Sequence, residues 1–210
     1  MTIQPTALNG DGWDYGTLYE AVLLTKGVPG LTCEIGLREG GGTELIVRAE
    51  LAIGERRPHV AIDPYGSFPY VAPNIPTYPS QFEYSNSMKF AHLPEIYKWL
   101  AGRDINFYFL AMEDIEFFQR FADGVPTYAN GDKNIINQYA VVYFDGPKGA
   151  DVVLREAQFF APRTPIGGVW IFDDTEDYDH HVVHAFALES GFEDVKAGHK
   201  WAYRQTKEPV

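Results

Sequence analysis

The stretch Leu31-Thr32-Cys33-Glu34-Ile35-Gly36-Leu37-Arg38-Glu39-Gly40-Gly41-Gly42-Thr43 decides how the rest of the chain is read. Its first five residues form a short apolar run, the pattern of a strand buried on both faces. Four glycines follow, and then residues 43–52 with helical spacing. At a strand-to-helix turn glycine adopts positive φ freely and lets the backbone approach a ligand closely. The free amides and dipole of a helix opening near Thr43 face whatever the turn holds, so a carboxylate or hydroxyl is welcome there. The spacing fits neither the G-x-G-x-x-G of dinucleotide sites nor the G-x-x-x-x-G-K-[ST] of phosphate-binding loops. Cys33, inside the strand, reads as a small buried residue, and as the sole cysteine it has no internal disulfide partner.

Outward from this unit, apolar runs alternate with helix-like segments, the rhythm of βαβ units and a mainly parallel sheet. A helix is expected over 15–25, a second strand over 59–62, and helical segments over 86–100 bent at Pro94. A strand over 106–110 precedes a helix over 114–122; a strand over 139–144 precedes a helix over 150–160. A strand over 168–172 and a helix over 179–190 lead to an antiparallel pair, 192–197 and 200–205, joined near Gly198. Phe159 and Phe160 read as core. Residues 64–82 break the rhythm with Pro, Tyr, Ser and Gly, and a loop this long is functional or disordered. Its aromatics favour an ordered lid or substrate wall over a disordered linker, so 64–82 reads as a loop insertion in a single domain spanning 1–210.

The whole chain has 210 residues and a formal charge of −12. That field repels phosphate backbones, so nucleic acid is not an expected partner. Residues 1–13 lack the basic and apolar regions of a secretory signal, and no apolar stretch reaches the roughly 20 residues of a membrane span. The expected setting is the cytoplasm, the expected partner a small molecule. A homo-oligomer stays open, since nothing specifies an interface.

Acids stand where the strands end. Asp63 closes the second strand, placed to accept hydrogen bonds from ribose hydroxyls, although Asp63-Pro64 is also a turn initiator. Glu113 follows the third strand, and Asp114 beside it reads as a helix cap. Asp145 follows the fourth strand, Asp173 and Asp174 the fifth. Ligands of open α/β sheets bind beyond the carboxyl ends of the strands. Carboxylates converging there repel unless a cation sits between them, and an all-oxygen set suits Mg²⁺, Mn²⁺ or Ca²⁺. The alternative is a solvated strand end at Asp173-Asp174 and a tight turn at Asp145-Gly146. His180 and His184, four apart on a helix, have a spacing that can bind metal.

The turn Glu34-x-Gly36-x-x-x-Gly40-Gly41-Gly42-Thr43 resembles the first motif of class I S-adenosylmethionine-dependent methyltransferases, with Gly42 in place of serine. Val141-Val142-Tyr143-Phe144-Asp145-Gly146 and Gly167-Gly168-Val169-Trp170-Ile171-Phe172-Asp173-Asp174 resemble the second half of macrocin-type O-methyltransferases. The resemblance covers roughly residues 15–205. It implies a Rossmann-like α/β fold, with a mostly parallel seven-stranded sheet of order 3-2-1-4-5-7-6 flanked by helices. It implies S-adenosylmethionine held by Glu34, Gly36, Gly40, Gly41, Thr43, Asp63, Glu113 and Asp145, and Mg²⁺ or Mn²⁺ held by Asp145, Asp173 and Asp174. Pro147 replaces an acid that is a candidate base in that family. Asp145-x-x-Lys148 resembles instead the D-x-x-K of catechol and caffeoyl-CoA O-methyltransferases, which implies Lys148 as base and Asp145 as its metal-holding partner; Lys148 as a solvated loop residue is the other reading. His180 or His181 is a second candidate base. The implied activity is methyl transfer to a hydroxyl of a sugar-like or other small molecule. A metal-independent O- or N-methyltransferase and a non-catalytic S-adenosylmethionine-binding protein are the alternatives.

Overall fold

A computed structural model describes residues 3–10, 12–67, 84–129 and 131–208. The elements run α1 (Tyr15–Leu23), β1 (Leu31–Ile35), α2 (Gly41–Ile53), β2 (His59–Ile62), α3 (Asn86–Ala101), β3 (Phe107–Leu110) and α4 (Asp114–Arg120). Then come β4 (Val125–Ala129), β5 (Asp132–Ile136), β6 (Tyr139–Phe144), α5 (Ala150–Phe160), β7 (Val169–Phe172), α6 (His180–Glu189), β8 (Phe192–Lys196) and β9 (Trp201–Gln205). The seven-stranded sheet has the order β3-β2-β1-β6-β7-β9-β8, and β4-β5 forms a separate hairpin. With the hairpin set aside, this is the expected order 3-2-1-4-5-7-6. All neighbouring strands pair in parallel except β9, which lies antiparallel between β7 and β8.

The central strands are buried throughout because helices cover both faces, and apart from Thr32, Glu34 and His59 the side chains of β1, β2, β6 and β7 are apolar or aromatic. Alternate side chains serve opposite faces. Cys33, Ile35, Val142, Phe144, Trp170 and Phe172 pack on α4, α5 and α6 through Phe117, Val153, Phe160 and Val183. Val141, Tyr143, Val169 and Ile171 meet Leu18, Val22, Leu45 and Ile46 of α1 and α2. Phe144 stacks on Phe172 with ring centroids 4.2 Å apart, so aromatic area ties β6 to β7 directly beneath their carboxyl ends. At the sheet edge β8 exposes Glu193, Asp194 and Lys196, charges that discourage pairing with a further strand.

Three local expectations need correction. Helix α2 opens at Gly41, two residues earlier than the sequence suggests, because Gly40 at φ 91° forms its N-cap. The helical segments expected over 86–100 form one element, α3, with Pro94 inside it. The β4–β5 hairpin was not expected, although Asn130-Gly131 between two β-rich runs is the usual hairpin signal. Of the anticipated loop insertion at 64–82, residues 68 onward lie outside the described residues. Among the described residues no helix is long and apolar enough to cross a membrane.

Candidate functional site

The glycine-rich turn crosses the end of β6. Gly36 has φ 90°, and a Cβ there would stand 2.2 Å from the Asp145 carbonyl oxygen. Its N–H donates to Ile62 O at 2.9 Å, and Asp145 N donates to Ile35 O at 2.9 Å, so the ends of β1, β2 and β6 are locked side by side. Gly42 is required for another reason. A Cβ would fall 2.0 Å from Glu34 Oε1 and 2.7 Å from the Tyr143 ring, which is why no serine is accommodated at that motif position.

Glu34 is buried beneath the turn and accepts a hydrogen bond from Thr43 Oγ1. Thr43 Oγ1 also lies 3.0 Å from His59 Nε2, and His59 Nδ1 lies 2.8 Å from Thr32 Oγ1. Glu34 and Thr43, which the motif suggested as cofactor contacts, therefore face the protein interior and set the turn's shape. Burial pushes the Glu34 carboxyl from 4.5 up to about 8 and the His59 imidazole from 6.5 down to about 4. The signs then separate by pH. Native Glu34 keeps its proton while an open chain loses it above 4.5, so its contribution falls as pH rises toward 8. His59 acts oppositely, gaining with pH between about 4 and 6.5, so of these two groups only Glu34 acts between 6.5 and 8. Glu34→Gln, which mimics the protonated acid, should remove a decline of up to about 1.4 kcal/mol per pH unit across that window. Chemical denaturation at pH 6.5 and 8 checks this; parallel wild-type and variant curves would show that Glu34 does not titrate there.

The N-terminal segment walls the turn, a role not anticipated from sequence. The Glu44 carboxylate on α2 accepts from the backbone N–H of Thr6, Ala7 and Leu8 at 2.8, 2.8 and 2.7 Å. Partial burial would raise Glu44, yet these bonds hold it below the usual carboxylate range. Leu8 and Ile96 fill the space beside Gly40, while Asn9 and Gly10 press on Gly41. Asp63 is also tied inward: Oδ2 accepts from Arg38 N and Oδ1 from Tyr65 N, both at 2.9 Å. Burial raises its carboxyl, and the backbone donors oppose that rise. Asp63 thus shapes the turn, its carboxylate held by backbone N–H groups of Arg38, Tyr65 and Leu37. Glu113 is exposed at the N-cap of α4. Asp114 does not cap this helix; it is buried one residue inside, beside Glu156, which burial and the Asp114 charge raise well above the ordinary carboxylate value.

The parallel register Phe144↔Phe172 sets Asp145 beside Asp173. The Tyr143 hydroxyl lies 2.6 Å from Asp173 Oδ2 and 3.1 Å from Asp145 Oδ2, and accepts from Lys200 Nζ at 3.0 Å. Lys200, fully buried, also forms an ion pair with Asp173. Lys148, likewise buried, bridges Asp145 Oδ1 at 3.2 Å and Asp174 Oδ2 at 2.9 Å. It is a held counter-ion here, not a solvated loop residue. The two neighbouring acids split. Burial and then the Asp173 charge raise Asp145, while Asp173 falls despite its burial because the ammonium groups of Lys200 and Lys148 face it.

His199, in the turn between β8 and β9, completes the cluster. Its Nε2 lies 3.1 Å from Asp174 Oδ1 and 3.6 Å from Asp173 Oδ1. Among the described residues, Asp173, Asp174 and His199 are the group whose donor atoms come together closely enough for a metal ion. The buried Nε2 atom, which has no hydrogen-bond partner, fits a cation there. Asp145, expected as the third metal ligand, stands outside this group, held by Lys148 and the Tyr143 hydroxyl. Tyr143, Lys200 and His199 were missed from sequence: no local motif marks Tyr143 on β6, and only the insertion of β9 beside β7 brings in Lys200 and His199. His180 and His184 are occupied elsewhere. His180 contacts the Tyr178 and Tyr203 hydroxyls at 3.0 and 2.8 Å, and His184 contacts Tyr203 at 3.1 Å. Burial drives His180 down to about 3, which makes it a poor proton acceptor, and the two hydroxyls occupy both of its ring nitrogens.

At the level of sequence no family model matches the chain, and no curated protein matches it significantly. Solved structures do. The O-methyltransferase NovP is 18% identical, with 92% of this chain and 79% of that one aligned at a TM-score of 0.56. The calicheamicin methyltransferase CalS11 is 16% identical over 91% and 76%, at 0.57. The methyltransferase PaMTH1 of Podospora anserina, in its SAH-bound form, is 8% identical over 95% and 80%, at 0.59. At these identities the likeness is one of fold: the chain has the Rossmann-like α/β architecture of these methyltransferase structures.

Proposed function

We propose that the chain is an S-adenosylmethionine-dependent O-methyltransferase acting on a hydroxyl of a small, sugar-like molecule with help from a divalent cation. One observation carries the reading. The sheet order reverses between β1 and β6, and at that switch point the glycine-rich turn lies against the Asp145–Asp173 carboxylates. A donor held by the turn would therefore meet an acceptor held by the acids. The methyltransferase activity of NovP and CalS11 and the motifs at Glu34–Thr43 and Asp145–Asp174 support the same assignment.

S-adenosylmethionine would supply a methyl group already activated on a sulfonium, so the chain's task is alignment. Gly36, packed on the Asp145 backbone, and Gly40, packed on Leu8 and Ile96, set the course of the turn that would receive the donor at the α2 N-terminus, and Asp63 fixes that turn and would offer a remaining lone pair to the ribose. A divalent cation at the Asp173–Asp174 pair would lower the proton affinity of the acceptor hydroxyl. Asp145, raised by its surroundings, takes the hydroxyl proton, and Lys148 holds Asp145 in place. This exchanges the roles that the D-x-x-K spacing implies.

A metal-independent mechanism is the second reading, favoured by Lys148 and Lys200, whose ammonium groups already face the carboxylates. Transfer of labelled methyl to a panel of sugars, polyols and catechols, with and without EDTA, separates the possibilities. Turnover abolished by EDTA and restored by Mn²⁺ or Mg²⁺ supports the first reading. Turnover indifferent to EDTA selects the second, and cofactor binding without turnover on any acceptor removes the enzymatic assignment.

A further inference from the structure

The proposed reaction leaves Glu176 and the orientation of His199 unexplained. His199 Nδ1 makes a short hydrogen-bonding contact with Glu176 Oε1. An ionised carboxylate only accepts, so the shared proton belongs to Nδ1. The other nitrogen, Nε2, is buried and without a hydrogen-bond partner, although two carboxylate oxygens lie 3.1 and 3.6 Å away. In the neutral ring that atom carries a lone pair. A lone pair crowded by two carboxylate oxygens is repulsive unless a proton or a metal ion lies among the three, and the lack of an aligned hydrogen bond from Nε2 to either oxygen favours the metal ion.

The spacing suits such a cation. Metal–nitrogen and metal–carboxylate bonds of about 2.0–2.2 Å set neighbouring ligand atoms roughly 3–3.5 Å apart around one ion. A carboxylate behind the ring is the arrangement that orients histidine ligands and fixes their tautomer. The backbone keeps the parts in register: Thr175 Oγ1 donates to Gly198 O at 2.8 Å and Thr175 N to His199 O at 3.2 Å, stitching the loop after β7 to the turn before β9. Each acid also turns one oxygen toward His199 while its other oxygen meets a lysine, Lys148 for Asp174 and Lys200 for Asp173.

We propose that Asp173, Asp174 and His199 form a transition-metal site, with His199 Nε2 as its nitrogen ligand and Glu176 as the residue that orients the ring. An imidazole in the set shifts preference from Mg²⁺ and Ca²⁺ toward Mn²⁺, Co²⁺ and Zn²⁺. The ligand set thus departs from the three carboxylates that the family resemblance implies. The proposal rests on the reading above only in placing a cation at the Asp173–Asp174 pair.

Titration of the apo chain with Co²⁺, followed by visible absorption, and with Mn²⁺ and Mg²⁺, followed by calorimetry, tests it without acceptor or methyl donor. The expected result is binding of Co²⁺ and Mn²⁺ at least about tenfold tighter than Mg²⁺. His199→Ala should lose the Co²⁺ bands, and Glu176→Gln should weaken Co²⁺ by about 10–100-fold. Asp145→Asn should change it by less than about threefold. His199 and Glu176 lie in surface turns, and unchanged circular-dichroism melting would verify that both variants are folded. Absence of Co²⁺ binding, equal Co²⁺ binding by wild type and His199→Ala, or a preference for Mg²⁺ would overturn the proposal. A His199-dependent metal site in a chain that fails to bind S-adenosylhomocysteine would leave it standing while the methyltransferase reading falls.

Discussion

Lys200→Met lowers the stability of the chain by about 3–5 kcal/mol at pH 7, the cost of leaving a buried charge without its partner. For a chain of this size that is a drop of roughly 10 °C or more in melting temperature. The ammonium group is fully buried and serves two acceptors, the Asp173 carboxylate and the Tyr143 hydroxyl. Methionine fills the volume and removes the charge, so Asp173 remains ionised with only Lys148 nearby. The sign with pH follows. In the wild type Asp173 is held below its usual value, so its contribution is present above the open-chain value and is lost as pH falls through the native one. In the variant the Asp173 carboxyl rises, takes up a proton sooner on acidification, and ceases to be an uncompensated charge. The deficit relative to wild type should therefore shrink from pH 7 to pH 5. Scanning calorimetry at both values reads it; an equal deficit at the two would mean that lost packing, not charge, is responsible.

Asp145→Ala is expected to lower methyl transfer by about 10²–10⁴-fold, the usual worth of a positioned proton acceptor, while S-adenosylhomocysteine affinity changes less than about threefold. The separation follows from geometry. The part of residue 145 beneath the glycine-rich turn is its backbone, whose N–H bonds Ile35 and whose carbonyl meets Gly36. Alanine keeps that backbone and removes only the carboxylate that Lys148 and Tyr143 hold. Single-turnover assays paired with cofactor titration measure the two effects independently. Loss of both together would make Asp145 a structural residue and remove it from proton transfer.

The sheet was legible from sequence because its strands are short runs bounded by turn signals, and Tyr139–Phe144 and Val169–Phe172 are uninterrupted apolar runs with an acid immediately after each. The turn was legible because four glycines at one strand end have few purposes. What the pattern could not convey was direction. Glu34, Thr43 and Asp63 belong to the right motif, yet their side chains point beneath the turn, and only the buried partners His59, Arg38 and Tyr65 reveal this. The acid site was half legible. Asp145, Asp173 and Asp174 follow adjacent strands and do converge, whereas Lys200 and His199 arrive on the last antiparallel pair, some 25 residues further along. An isolated Gly198-His199-Lys200 carries no chemical signature until β9 is placed beside β7.

Calorimetric titration of the purified chain with S-adenosylhomocysteine, with and without a divalent cation, tests the central claim most directly. Micromolar binding that is lost in Asp63→Ala is expected, because that carboxylate anchors Arg38 and Tyr65 and thereby the turn that would receive the cofactor. No heat of binding under either condition, in a chain shown to be folded, would contradict it and leave the fold without the function proposed here.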